Sequence, residues 1–179
     1  MNISNSCPPR LAAILTDCPL AVDDALACFA LALRERGLGV RGFLATSRSL
    51  ANGTSFPALF DLDSCHTILP TNAPLRSLQH QPGNDGERFK ARLLDISGHR
   101  ADLVLLPSSA VSIATRQEFS KALSTLINAG TPVLTSVRCS HFADWQALSN
   151  NRFTLLQPTV KAMFDWIEAI WQNNKPTFH

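Results

Sequence analysis

Residues 11–46, LAAILTDCPLAVDDALACFALALRERGLGVRGFLAT, decide the fold. Leu11 to Leu15 are continuously apolar, as in a short buried strand. Val22, Ala25, Leu26, Phe29 and Leu33 then recur at helical spacing, and Gly37, after Arg34, Glu35 and Arg36, supplies a C-terminal stop. Val40 to Thr46 read as a second strand. This frame looks like the opening of a nucleotide-binding α/β domain, except at the first loop. A phosphate loop needs glycines, so that backbone N–H groups can wrap the anion, and a Lys to reach the outer phosphates. Thr16-Asp17-Cys18-Pro19-Leu20-Ala21 has neither. Asp17, Asp23 and Asp24 instead place carboxylates around the helix start, where the helix dipole would draw a phosphate.

Working outward, residues 1–10 are polar with a Pro-Pro pair and read as a flexible tail, residues 11–173 as a single α/β domain, and 174–179 as a second tail. Thr46-Ser47-Arg48-Ser49 leave the second strand as a polar loop, and residues 49–57 look turn-like. Leu59–Leu69 and Leu75–Gln79 read as two strands of a hairpin joined at residues 70–74, its prolines marking an edge. A helix carrying Phe89, Leu93, Leu94 and Ile96 stops near Gly98. Leu103–Leu106 have the continuous apolar character of a strand covered on both faces. Thr115 and Glu118 form a capping box before a helix that ends at Gly130-Thr131-Pro132. Val133–Val137 make the next strand, Ser140 caps a short helix, Phe153–Leu156 form a last strand, and Thr159 opens the final helix. Strands alternating with helices predict three layers, a mostly parallel sheet with helices on both faces, plus an antiparallel hairpin flank.

The chain has 179 residues, 45% of them apolar and 17% charged, which suits one compact core. Sixteen basic residues against fourteen acidic ones give +2, and the basic side chains are scattered. A nucleic-acid partner is therefore not expected. The first ten residues lack the apolar core of a signal peptide and no apolar run approaches a membrane span, so a cytoplasmic protein without membrane insertion is expected. Five cysteines at irregular spacings, without a C-x-x-C pair, indicate reduced thiols rather than a disulfide framework or zinc knuckle. Cys28, near the apolar stripe of the first helix, reads as core.

Ligands of such sheets bind outside the carboxyl ends of the strands. That selects Asp17 and Cys18 after the first strand, Arg48 after the second, Ser108 and Ser109 after the run at Leu106, and Arg138, Cys139, Ser140 and His141 after Val137. The two arginines and the hydroxyls suit a small anionic ligand. Cys139 and His141, with Asp144 following, have the residue types of a nucleophile and its base, so an enzyme acting on a small substrate is the alternative. Cys65-His66 with Cys18 and Cys139-x-His141 would be soft metal ligands, but adjacent residues of a strand face opposite sides, and no metal site is assigned. On the last helix, Phe164, Trp166, Ile167, Ile170 and Trp171 are too many for one narrow stripe, which allows a structural role with a homodimer contact there.

LAAILT, the CPLAVDDALACFALALRERGLGVRGFLAT segment, SCHTILP, ADLVLLPSSA and AGTPVLTSVRCSHFADWQALS together resemble an uncharacterised bacterial family of domains of unknown function over about residues 11–150. Members of that family look like relatives of P-loop nucleoside triphosphatases and of the protein that assists attachment of a guanine nucleotide to molybdopterin. Many are encoded beside molybdate transporters. The resemblance implies a degenerate P-loop-like fold and a place near molybdenum metabolism. Two departures mark the chain as divergent. Pro107-Ser108-Ser109-Ala110-Val111 replaces the family's Asn and Phe-Gly-Lys stretch, and Gln81-Pro82-Gly83-Asn84-Asp85-Gly86 lacks its Cys. The expected function is a non-hydrolytic binding or accessory protein for a small anionic ligand or a metal cofactor, with a cofactor-pathway protein as a further candidate partner.

Overall fold

The computed structural model describes residues 8–17, 19–49, 53, 55–68, 85–107, 110 and 116–173. β1 (Leu11–Thr16) is followed by α1 (Pro19–Glu35) and β2 (Val40–Ser49). β3 (Ser55–Asp61), β4 (Thr67–Ile68), α2 (Asp85–Gly98) and β5 (Leu103–Leu105) come next. The chain closes with α3 (Arg116–Asn128), β6 (Val133–Arg138), a 3-10 turn over Cys139–His141, α4 (Phe142–Leu148), β7 (Thr154–Leu156) and α5 (Val160–Asn173).

These strands form one seven-stranded sheet in the order β4-β3-β2-β5-β6-β1-β7. The five strands from β2 to β7 are parallel to their neighbours. β3 and β4 are added antiparallel at one side. Alternation along β1 sends Leu11 and Ala13 into one core and Ala12 and Ile14 into the other. The first core holds Phe89 of α2, Phe119 of α3 and Trp145 of α4; the second holds Phe29 of α1 and Ile167 of α5. Helices therefore cover both faces, as expected, and β5 lies centrally between β2 and β6. Each fully buried side chain of this size contributes roughly 1.5–3 kcal/mol relative to exposure. α1 stops as its sequence indicates: Gly37 takes φ +80° and the Leu38 N–H bonds back to the Leu33 carbonyl at 3.1 Å. Thr159 caps α5 through its hydroxyl, which accepts from the Ala162 N–H at 3.3 Å.

The antiparallel flank exists, but not where the apolar runs place it. β2 continues through Ser49 rather than ending at Thr46, and β3 pairs with it from Phe43↔Asp61 to Ser49↔Ser55. Of the turn-like segment 49–57, residues 49 and 55–57 are thus strand. β3 then turns through residues 62–66 into β4, which pairs only Leu59↔Ile68 and Phe60↔Thr67. Residues 69–84, including the expected second hairpin strand, lie outside the described residues.

Three burial expectations also change. Cys28 is exposed, one position off the stripe formed by Val22, Leu26, Phe29 and Leu33. Trp166 is buried and donates its indole N–H to the Pro9 carbonyl at 3.1 Å, while Phe164 packs edge-on against Phe29 at 4.9 Å and beneath the Arg36 guanidinium. The aromatic surplus of the last helix is thus taken up within the chain. Pro8–Arg10, expected in the tail, are tied to the fold: Arg10 bonds the Gly130 carbonyl through its guanidinium and accepts from the Val133 N–H at 2.7 Å.

Candidate functional site

β1 and β6 are adjacent and parallel, with Thr16 opposite Arg138 at their last paired position. The chain leaving β1 enters α1, which packs on the face shared with α5. The chain leaving β6 enters the 3-10 turn and α4, on the opposite face. Neighbouring strands whose continuations part to opposite faces leave a crevice at their carboxyl ends, the ligand position of open α/β sheets.

Asp17, just past β1, and Arg138 to His141, at the end of β6 and beyond, lie exposed at this crevice. Cys139 faces Asp17: hydrogen bonding to that carboxylate, then burial, then the negative charge of Asp17 raise the thiol above its ordinary range. The thiol is accordingly protonated at neutral pH, the reverse of what an activated nucleophile requires. Asp23 is half-buried on α1 and its pKa is pushed up to about 6, first by burial and then by the charge of Asp24, against the attraction of Arg138. Asp23 and Asp24 sit in the second turn of α1, not the first, since the helix begins at Pro19. They are therefore not first-turn caps, and Asp23 feels the charge of Arg138 instead.

Of the sequence-selected residues, the sheet brings Asp17, Arg138, Cys139, Ser140 and His141 together. Cys18, Ser108 and Ser109 lie outside the described residues. Arg48 is not in a loop after a strand. Its backbone sits within the β2–β3 ladder opposite Phe56, and β5 separates its strand from β6. Ser140 does not cap the short helix. It occupies the middle of the 3-10 turn, and α4 has His141 at its N-cap position without a side-chain bond. Cys65 and His66 follow β3 at the amino-terminal end of the parallel strands, the end opposite Cys139, so these pairs do not converge. Among the described residues no group of three metal-ligating side chains occurs.

A second charged cluster, at that amino-terminal end, has no counterpart in the sequence reading. Arg92 of α2 donates to Asp61 (2.7 Å) and Asp63 (2.7 Å) and also pairs with Asp95; Arg41 of β2 donates to Asp63 (3.0 Å) and Asp95 (2.8 Å). Its signal in the chain is slight: Asp61-x-Asp63-Ser64 after a strand, and Arg92 and Asp95 three apart on a helix.

Fold and crevice define a three-layer α/β protein with a polar, mixed-charge opening between the parallel strands β6 and β1. Residues 87–166 match the model of a family described as a protein of unknown function, DUF2478. The match takes in the β6 half of the crevice, Arg138 to His141, and stops short of the β1 half. No curated protein matches the chain. No helix among the described residues is long and apolar enough to cross a membrane.

Proposed function

We propose that the chain is a P-loop-derived α/β binding or accessory protein that does not hydrolyse nucleotides and holds a small anionic ligand, or the anionic part of a metal cofactor, between β1 and β6. The observation that carries this reading is the placement of Arg138 at the split between those strands, where its charge acts on Asp23, next to the Cys139 thiol that bonds Asp17. Arg138 offers a planar set of donors to an oxyanion. Asp23 is a further donor when it holds its proton, whereas the single proton of the Cys139 thiol is given to Asp17. The carboxylates set the size of the anion: Asp17 and Asp24 repel a triphosphate, and no Lys or Gly stands in residues 16–21 to grip one. A place in molybdenum metabolism rests on the family resemblance alone, and molybdate has the size and charge this reading asks for. The alternative of an enzyme using Cys139 and His141 is disfavoured by the raised thiol.

A thermal-shift series tests the reading, because a ligand selective for the folded state raises the melting temperature. Molybdate, tungstate, sulfate or phosphate is expected to stabilise the protein, with the effect lost in Arg138→Ala; ATP and GTP are expected to do nothing. Turnover of ATP or GTP that copurifies with the protein and disappears in Asp17→Ala would overturn it.

A further inference from the structure

We propose that the turn over residues 62–66 and β4 form an acid-released latch on the edge of β3, fastened by the Asp61 carboxylate. Asp61 is the last residue of β3 and only 1% exposed. Its two oxygens accept four hydrogen bonds: from Arg92 Nε at 2.7 Å and Ser64 Oγ at 2.8 Å on Oδ2, and from the Asp63 N–H at 3.0 Å and Arg92 Nη2 at 3.3 Å on Oδ1. Two of these donors belong to the turn itself, so the side chain that anchors α2 also shapes the reversal into β4. Its other ties are the Leu62 N–H, which bonds the Gly42 carbonyl at 2.9 Å, the buried Leu62 side chain, and the contacts of Arg34, Arg41 and Arg92 with Asp63. Cys65 adopts φ +56°, a conformation costly for a residue with a Cβ, and β4 contributes two paired residues. Only an ionised carboxylate can accept from all four donors, since a protonated one presents a hydrogen of its own.

The charged groups around Asp61 make the release cooperative. Arg92 and Asp95 approach from α2, with His99 against Asp95 at 3.0 Å; Arg41 approaches from β2; Arg34 of α1 reaches Asp63 at 3.4 Å. Three guanidinium groups thus converge on three carboxylates. Once the carboxylates are neutralised, the cations repel one another across the turn with nothing between them. Among the described residues the turn and β4 are anchored in the cores by Leu62 and Ile68, whereas α2 is held by Phe89, Leu93 and Ile96, so the turn and β4 are the piece that gives first. Burial pulls the Asp61 pKa up, but the bonds from Arg92, Ser64 and the Asp63 N–H, with the Arg92 charge, outweigh it and leave it lowered. Asp95 is also lowered, burial opposing and Arg41, Arg92 and His99 prevailing. The latch is therefore closed at neutral pH and opens below the ordinary carboxylate range.

Residue-resolved hydrogen exchange on the full chain, stepped from about pH 7 to about pH 2 and expressed as protection factors, tests this. The Asp61 and Cys65 amides, which bond His66 O and Asp61 O at 2.9 Å each, are expected to lose protection while the amides of β1 and β6 keep theirs. In Asp61→Asn at neutral pH, the same two amides are expected to exchange at least about tenfold faster with β1 and β6 unchanged, the loss of charge-assisted bonds. Simultaneous loss across the whole sheet on acidification, or unchanged protection of Asp61 and Cys65, would overturn the proposal. Should Asp61→Asn not fold, the wild-type pH series decides alone.

Discussion

Trp166 reaches across the fold to Pro9: its indole N–H meets the Pro9 carbonyl at 3.1 Å, fastening the last helix to the segment that leads into β1. Trp166→Phe keeps most of the packing and removes this bond, so a loss of about 1 kcal/mol is expected in urea unfolding. Removing residues 1–9 deletes the acceptor. In that background Trp166→Phe should cost measurably less, and equal costs in both backgrounds would show that the bond contributes nothing.

Gly42 pairs with Leu105 where β2 leaves the parallel sheet, at φ +110°, and a Cβ there would collide with the Leu105 carbonyl. Backbone is the obstacle, so no side-chain rotation relieves it. Gly42→Ala is expected to cost at least about 2 kcal/mol, from strain and overpacking together. Gly37, with φ +80° and open space around its would-be Cβ, is the control and should cost less on the same substitution.

Asp23, raised to about 6 by burial and Asp24 against Arg138, carries a signed pH dependence. Its folded pKa exceeds the unfolded value, so its contribution to stability is complete below the ordinary carboxylate range and is lost as pH rises through about 6. Asp23→Asn is therefore expected to stabilise the protein at about pH 8 by roughly 1 kcal/mol, allowing for solvent screening, and to change little at about pH 4. Melting temperatures of both proteins across that range check it. A destabilised variant at the higher pH would show that Asp23 is chiefly a partner of Arg138.

Cys139 is held protonated by Asp17. Asp17→Asn removes the acceptor charge, so thiol labelling at Cys139 is expected to reach its half-maximal rate at a lower pH than in the wild type. The Cys28 and Cys65 thiols, also exposed, supply the internal reference. Identical pH profiles in the two proteins would separate Asp17 from Cys139.

The parallel framework was legible because its apolar runs are buried on both faces. Leu103–Leu105 and Val133–Val137 carry no polar interruption strong enough to hide a strand, apart from Thr135 and Ser136, which the core accepts. The β2–β3 arm was not legible for the opposite reason. Thr46, Ser47, Ser49 and Ser55 are exposed, so no alternation marks them, and Pro57 argues against a strand. Pro57 nonetheless sits in the β2–β3 ladder, opposite Ser47. At the crevice, the rule that ligands meet strand ends found Asp17 and Arg138–His141, because it needs only strand boundaries. Arg48 failed with the boundary of β2. The Asp61 cluster could not be read, since it joins α1, β2, β3 and α2 across residues 34–95 and depends on the strand order.

β1 sits between β6 and β7, so the first strand of the chain finds both of its neighbours among residues 133–156. Emerging from a ribosome, Leu11–Ile14 would wait for most of the polypeptide before either edge is covered. Until then β2 can pair with β3 and β5, but β1 has neither of its neighbours. Such late closure slows folding and leaves an adhesive segment open to other chains. A chain cut short before residue 133 should consequently collect in aggregates rather than give a smaller folded protein.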